Sequence, residues 1–168
     1  MRVLLEPHPQ TPSAVVKRIT VDIEYEGPRL RLTYGVEGDT AKVRWPKQAK
    51  PGRADDLWRH TCFEAFIQTP IGYREFNLSI LGQWASYRFD SYRQGMAEAV
   101  EAAERVSLEG RGDYTDAGFL IDVPEGACRM GLSAVIEDID GAMSYWALAH
   151  PSAKPDFHHP DSFVLELP

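Results

Sequence analysis

The run "RITVDIEY" at 18–25 alternates at every residue, setting Ile19, Val21, Ile23 and Tyr25 on one face and Arg18, Thr20, Asp22 and Glu24 on the other. A strict period of two fits a half-buried strand, because a helix would scatter these side chains around its circumference. After the turn "EGP" the alternation restarts in "RLRLTYGV", with Leu30, Leu32, Tyr34 and Val36 inward. Residues 15–37 are therefore expected to form an antiparallel pair.

The same rhythm recurs in "KVRW" (42–45), "TCFEAFIQT" (61–69), "REFNLSI" (74–80), "WASYRFDSY" (84–92) and "RVSLEG" (105–110). It continues in "GFLIDVP" (118–124), "MGLSAVIED" (130–138), "SYWALA" (144–149) and "SFVLEL" (162–167). Short strands punctuated by "IGY", "LGQ", "RGDY" and "DIDG" predict an all-β, antiparallel β-sandwich of about ten strands, jelly-roll or immunoglobulin-like. Only "GMAEAVEAAERV", rich in helix formers, breaks the pattern, and it predicts one short helix or turn near 96–104. No repeat or linker divides the 168 residues, so 1–168 reads as a single domain large enough to fold without a disulfide or metal staple.

A net charge of −7 and a pI near 5.2 repel phosphate backbones, which argues against nucleic acid as a partner. The apolar share of 43% suits a soluble globular chain, and no apolar run reaches the length of a membrane span. The amino terminus "MRVLLEPHPQTP" lacks a secretory apolar region, so a cytoplasmic location is expected. Cys62 and Cys128 lie far apart and outside any C-x-x-C pair, and both read as buried free thiols.

Chemistry concentrates around "DDLWRHTCFEAFIQTPIGYREFNLSILGQWASYRFDSYR". With Phe63, Ala65 and Ile67 turned to the core, Glu64 and Phe66 turn away from it. With Phe76, Leu78 and Ile80 inward on the next strand, Glu75, Asn77 and Ser79 share the face of Glu64. Trp84, Arg88 and Tyr92 are available from the third strand. Carboxylates and amides grouped with Trp and Tyr are suited to holding sugars, since polar groups bond hydroxyls while aromatic faces cover C–H surfaces. A solvated sheet face with an exposed Arg88–Glu pair is the plainer reading of the same residues.

The segments "LWRHTCFEAFI", "YREFNLSILGQWASYRFDSYR" and "YWALAHPSAKPDFHHPDSFVLEL" resemble the DOMON-like superfamily, in particular its type 9 carbohydrate-binding-module-like branch. The resemblance implies a β-sandwich acting as a noncatalytic module that binds a carbohydrate or polyhydroxylated small molecule. It implies a Trp clamp, for which Trp58, Trp84 and Trp146 are the candidates, with Glu64, Glu75 and Asn77 bonding hydroxyls and calcium as a structural ion. Related domains bind haem through a Met and a His. Here that would draw on His60, His150, His158 or His159 with Met96, Met130 or Met143, making a haem-binding redox domain an alternative. A protein-interaction module without a small ligand is a third reading.

The Pro- and His-rich stretch "AHPSAKPDFHHPDSF" at 149–163 sets His150 and His159 directly before prolines, which biases both toward extended backbone and stiffens the connection. It is expected to close one edge of the groove, with Lys154, Asp156 and His158 as ligand contacts. Adjacent His158 and His159 point apart on an extended backbone, which disfavours a shared metal. There is no G-x-S-x-G hydrolase elbow, and "DIDG" at 138–141 suffices for a hairpin turn without the closing Glu of a calcium loop. No enzymatic activity, metal site or cofactor is expected; calcium and haem stay as the two weighed exceptions.

Overall fold

Alternation becomes ladder in the computed structural model, which describes all residues from Met1 to Pro168. The strands are β1 (Arg2–Pro7), β2 (Val16–Glu26), β3 (Arg29–Gly38), β4 (Gly52–Arg53), β5 (Cys62–Gln68), β6 (Tyr73–Leu78) and β7 (Gln83–Phe89). They continue as β8 (Ala97–Glu98), β9 (Ala103–Arg111), β10 (Tyr114–Asp122), β11 (Arg129–Glu137), β12 (Met143–Ala147) and β13 (Leu165–Glu166). The protein is all-β. Its ladder runs β4-β7-β6-β5-β11-β12-β1-β2-β3-β10-β9, with β8 added to β7 and β13 to β11. Every pairing is antiparallel except the short one between β4 and β7. Strand β9 at one end comes back against β7 and β6 near the other, so the sheet nearly closes on itself.

Strand β1 joins the two halves. Arg2–Leu5 pair with β2, while Glu6 and Pro7 pair with β12, so one strand serves two ladders. Pro7 lies at its last position, where the missing N–H costs least. This strand was not among the expected ones, because "RVLLEP" shows too few alternations to be recognised alone.

The inward residues fill one large core: Ile19, Val21 and Ile23 of β2, Leu30, Leu32, Tyr34 and Val36 of β3, Phe63, Ala65 and Ile67 of β5, and Phe76 and Leu78 of β6. Tyr34 is fully enclosed and its hydroxyl donates to the Glu64 carbonyl at 2.7 Å, which removes the cost of burying a phenol. Tyr25, read as inward, lies at the end of β2 and is half exposed.

Strands β5, β6, β7 and β11 are buried on both sides. Their outer face carries a second apolar cluster of Phe66, Tyr73, Ala85, Tyr87, Phe89 and Val135, joined by Ala147, Phe157 and Phe163. Such two-sided burial is more typical of parallel sheets, and here an irregular loop takes the role of the covering layer.

Three expected elements differ. Residues 96–104 hold no helix: Ala97 and Glu98 pair with β7, and the Ala99 and Glu101 carbonyls accept from Arg53 Nη2 and Ser86 Oγ at 2.9 and 2.6 Å. Tertiary hydrogen bonds outweigh the intrinsic propensity of Ala and Glu. "KVRW" is no strand; Thr40–Lys42 form a 3-10 turn, and Val43 makes a single bridge to Asp138. In "SFVLEL" only Leu165 and Glu166 pair, because Pro160–Ser162 turn to bring Phe163 down onto the outer face. No helix is long and apolar enough to cross a membrane.

Candidate functional site

Registers across four neighbouring strands assemble a row of polar side chains on the outer face. Glu64 of β5 stands opposite Asn77 of β6 and Ser133 of β11, and Glu75 of β6 stands opposite Tyr87 of β7. Alternation dictates their direction, since their sequence neighbours Phe63, Ala65, Phe76 and Leu78 point into the main core. The row is almost wholly removed from solvent, with Glu64 3% exposed, Glu75 5% and Asn77 0%.

Each carboxyl group has one neutral donor. Ser133 Oγ donates to Glu64 Oε2 at 3.1 Å, and Asn77 Nδ2 donates to Glu75 Oε1 at 2.9 Å. The Cys62 thiol reaches toward Asn77 Oδ1 at 3.9 Å. Glu64 Oε1 and Glu75 Oε2 accept no hydrogen bond, and neither carboxyl pairs with a lysine or arginine.

Burial without a cation penalises ionisation. It pushes the Glu75 carboxyl up to about 7, opposed by the Asn77 hydrogen bond and the Arg93 charge. Burial raises Glu64 well above the carboxylate range, and the Glu75 charge raises it further against the Ser133 hydrogen bond. The two carboxyls titrate as a pair, in which a charge on one disfavours a charge on the other.

Residues 149–163 lie across this face. His158 packs edge-on against Phe66, Tyr73 and Phe89, while Phe163 stacks on Phe66 at 5.9 Å. Tyr73 Oη accepts from the Arg93 N–H at 3.2 Å and lies 2.7 Å from His158 Nδ1. A hydroxyl proton directed at Nδ1 leaves the imidazole proton on Nε2, which faces Glu75 Oε2 at 3.7 Å. Burial, with the Arg93 charge, lowers His158 to about 4, so the ring is neutral near pH 7. Burial lifts the Tyr73 phenol to about 12.

The loop is tied down at its start and at its middle. His150 Nε2 lies 2.8 Å from the Glu6 carbonyl, and His8 Nε2 lies 3.2 Å from the Ser152 carbonyl. Asp156 accepts from Tyr92 Oη at 2.5 Å and from Arg93 Nη2 at 2.8 Å. The stretch therefore covers the face from above rather than closing one edge of an open groove. Gly131 of β11 permits the approach, since a Cβ there would meet Phe163 Cδ1 at 2.9 Å and the Ser162 carbonyl at 3.0 Å.

Of the expected contacts, Glu64, Glu75 and Asn77 come together with His158. Trp58 lies 48% exposed on a 3-10 turn, Leu57–Arg59, that packs against β5, β6 and β7 beside the row. Asp55, just before that turn, accepts from Tyr87 Oη at 2.5 Å.

Trp84 lies elsewhere. It stands opposite Leu78, so its half-buried ring packs against the main core under the Arg53 guanidinium at 4.5 Å, not beside Glu75 and Asn77. Arg88 shares that parity and pairs with Asp90 at 3.2 Å, not with Glu64 or Glu75. Trp146 is a core residue, 3% exposed, its indole N–H donating to Ser144 Oγ at 3.0 Å, so it clamps nothing. Tyr92 and Asp156 bond each other as a tie on the loop, and Lys154 is exposed and without an ion pair.

Among the weighed haem ligands, Met130 is in the main core, Met96 is exposed, and only Met143 lies against the outer cluster. No group of three His, Cys, Asp or Glu side chains is arranged to hold a metal. Cys62 is buried and free as expected, whereas Cys128 is exposed, being in the turn before β11. "DIDG" is a hairpin turn in which Asp138 Oδ1 accepts from the backbone N–H groups of Asp140 and Ala142, both at 2.9 Å.

The sequence reading missed Ser133, Tyr73 and Tyr87. The alternation of "MGLSAVIED" carried the signal for Ser133, since inward Leu132 and Ala134 force it outward.

A wider, open groove of about 770 Å³ lies apart from the row, between Arg44, Trp45, Lys47, His60 and Ile139. Its buried acid, Glu137, is already engaged by His60 Nδ1 at 2.7 Å and by Arg44 Nη1 at 3.3 Å. Unused bonding capacity is concentrated in the covered row instead.

Fold and site together define a class: an all-β protein with a nearly closed antiparallel sheet and a capped row of carboxyl, amide and hydroxyl groups on one outer face. No family model matches the chain, and no curated protein matches it.

Proposed function

We propose that the protein is a noncatalytic ligand-binding module of DOMON-like, β-sandwich type, whose two layers meet at β1. Its site is the row Glu64, Asn77, Glu75 and Ser133, and its ligand is a polyhydroxylated small molecule, with carbohydrates the leading class. The observation that carries this reading is the pair of carboxyl oxygens, Glu64 Oε1 and Glu75 Oε2, which accept no hydrogen bond within an aromatic surround. Neither oxygen is sealed from solvent, Arg29 Nε being the only buried side-chain polar atom without a partner, so both acceptors are open to an external donor.

A carboxyl pair holding one proton near neutrality both donates and accepts, which matches vicinal hydroxyls. The rings of Phe66, Tyr73, Tyr87 and Phe89 supply apolar walls. Trp58 lies at the rim as the available clamp. The ligand enters when residues 149–163 lift from the face. The exposed thiol of Cys128 suits a reducing, cytoplasmic setting.

Thermal unfolding against a panel of mono- and oligosaccharides tests this. A ligand at about 100 times its Kd stabilises by roughly 2.7 kcal/mol, a shift of several degrees. The shift should disappear in Asn77→Ala; silence across the whole panel overturns the reading.

A further inference from the structure

Resting on the reading that the ligand enters when residues 149–163 lift, we propose that His8 and His150 form an acid-released latch that governs when the covering loop opens. The two rings lie on opposite sides of one seam. His8 is fixed to the sheet, since it follows β1 and its backbone N–H donates to the Tyr145 carbonyl of β12 at 2.7 Å. His150 belongs to the loop, just past the Leu148 N–H that donates to the Leu132 carbonyl. Each histidine precedes a proline, which biases its backbone toward an extended form.

The bonds across the seam are reciprocal. His8 Nε2 lies 3.2 Å from the Ser152 carbonyl of the loop, and His150 Nε2 lies 2.8 Å from the Glu6 carbonyl of the sheet. A carbonyl only accepts, so each ring carries its proton on Nε2. His8 is buried, and its Nδ1 accepts from the Gln10 N–H at 3.1 Å. Both nitrogens of His8 are thus committed in the neutral form, and a second proton on Nδ1 would set two donors against each other. The ring centroids stand 4.9 Å apart and nearly perpendicular, a packing that suits neutral rings and sets two imidazoliums in repulsion.

The surroundings do not compensate such charge. Neither ring forms an ion pair with an acid, unlike His60, His158 and His159. Strand β1 brings one charged group, the exposed Glu6; β12 brings Tyr145, and the loop brings Ser152 and Phe157. Burial lowers the His150 imidazole, and the His8 charge adds to this, against the Glu6 carbonyl and carboxylate. With the folded value below the unfolded 6.5, the closed loop has full support above 6.5 and loses it as pH falls.

The opening has a pivot. Burial raises Asp156, but the hydrogen bonds from Tyr92 and Arg93 outweigh it and hold the carboxylate below its usual range, so this tie survives mild acid. Residues 149–155 therefore swing first. They begin just after Ala147, which stands opposite Ser133, so the β12 end of the row is uncovered before the rest.

Hydrogen exchange of the ligand-free protein at pH 5.0 and 7.5, read as protection factors with the intrinsic pH dependence removed, tests the latch apart from any ligand. His158, at about 4, stays neutral at both. Protection of 149–155 should fall at least about fivefold from pH 7.5 to 5.0 while β2 and β3 hold steady. The fall should shrink to under about twofold in the double variant His8→Gln/His150→Gln, whose amides keep a neutral donor for each carbonyl. His150→Gln alone, at a half-buried position, should shrink it in the same direction, and Glu75→Gln should leave it whole. Equal protection of the wild type at both pH values, or a full response in His150→Gln, overturns the latch. Loss of the response in Glu75→Gln overturns it too, by assigning the titration to the row. Silence across the sugar panel overturns the ligand reading and leaves the exchange result standing.

Discussion

The imidazole Nε2 of His158 lies 3.7 Å from Glu75 Oε2, joining the partly buried covering loop to the buried carboxyl row. One partner is neutral near pH 7 because burial lowers it, and the other is only about half ionised there because burial raises it. The stability of the fold should record both displacements, with opposite signs.

For Glu75 the folded value, about 7, lies above the unfolded one, so its contribution is full below about 4.5 and is lost as pH rises through about 7. Glu64, also raised well above the carboxylate range, adds a loss of the same sign. For His158 the folded value, about 4, lies below the unfolded 6.5, so its contribution is full above 6.5 and is lost as pH falls toward 4. The two oppose each other from 4.5 to 6.5, and only the acids act above it. Denaturant unfolding at pH 6.5, 7.2 and 8 should show stability falling by about 1 kcal/mol per pH unit. Glu75→Gln should be flatter and more stable at pH 8; an unchanged slope would remove Glu75 as its source.

His158→Ala removes a ring packed among Phe66, Tyr73 and Phe89 and takes away the Tyr73 hydroxyl's partner. The expected cost is about 1–3 kcal/mol. Hydrogen exchange should quicken across 149–163 and hold steady in β2 and β3, whose core is remote from the loop. Uniform exchange changes would show that the loop is not an independent unit.

Gly131→Ala tests how the loop is seated. The new methyl meets Phe163 and the Ser162 carbonyl at contact distances of 2.9 and 3.0 Å, and the loop must give way. Limited proteolysis should cut this variant within 149–163 faster than the wild type, with the sheet intact; identical digestion would argue that the backbone of β11 shifts instead.

The tryptophans separate core from rim. Trp146→Ala should destabilise by about 3–5 kcal/mol, as for a large buried side chain, whereas Trp58→Ala should stay within about 0.5 kcal/mol of wild type. Chemical denaturation of the two variants reads the difference directly. A large loss in Trp58→Ala would place that ring in the packing and not at the rim.

The strand rhythm was legible in the runs of six residues or more apart from "SFVLEL", which is why Glu64, Glu75 and Asn77 could be set on one face before any coordinates. Two kinds of information were hidden. Parity on β7 was ambiguous, because "WASYRF" offers large side chains to both faces, and the pairing of Trp84 with Leu78 decides the matter only through register. The cover was hidden too, since a Pro-rich loop carries no period; its docking depends on Phe157, His158 and Phe163 finding rings contributed by three separate strands. Short strands such as β4, β8 and β13 are made by tertiary contact and leave no pattern of their own.

The most direct measurement is a two-dimensional amide NMR titration that follows the side-chain NH2 of Asn77, fully buried at the centre of the row, while the best-binding sugar is added. The account predicts that this resonance pair moves in step with ligand occupancy while the Trp45 indole N–H, beside the open groove, stays fixed. Movement of the Trp45 signal with a stationary Asn77 would contradict it and transfer the binding site to the groove around Arg44 and His60.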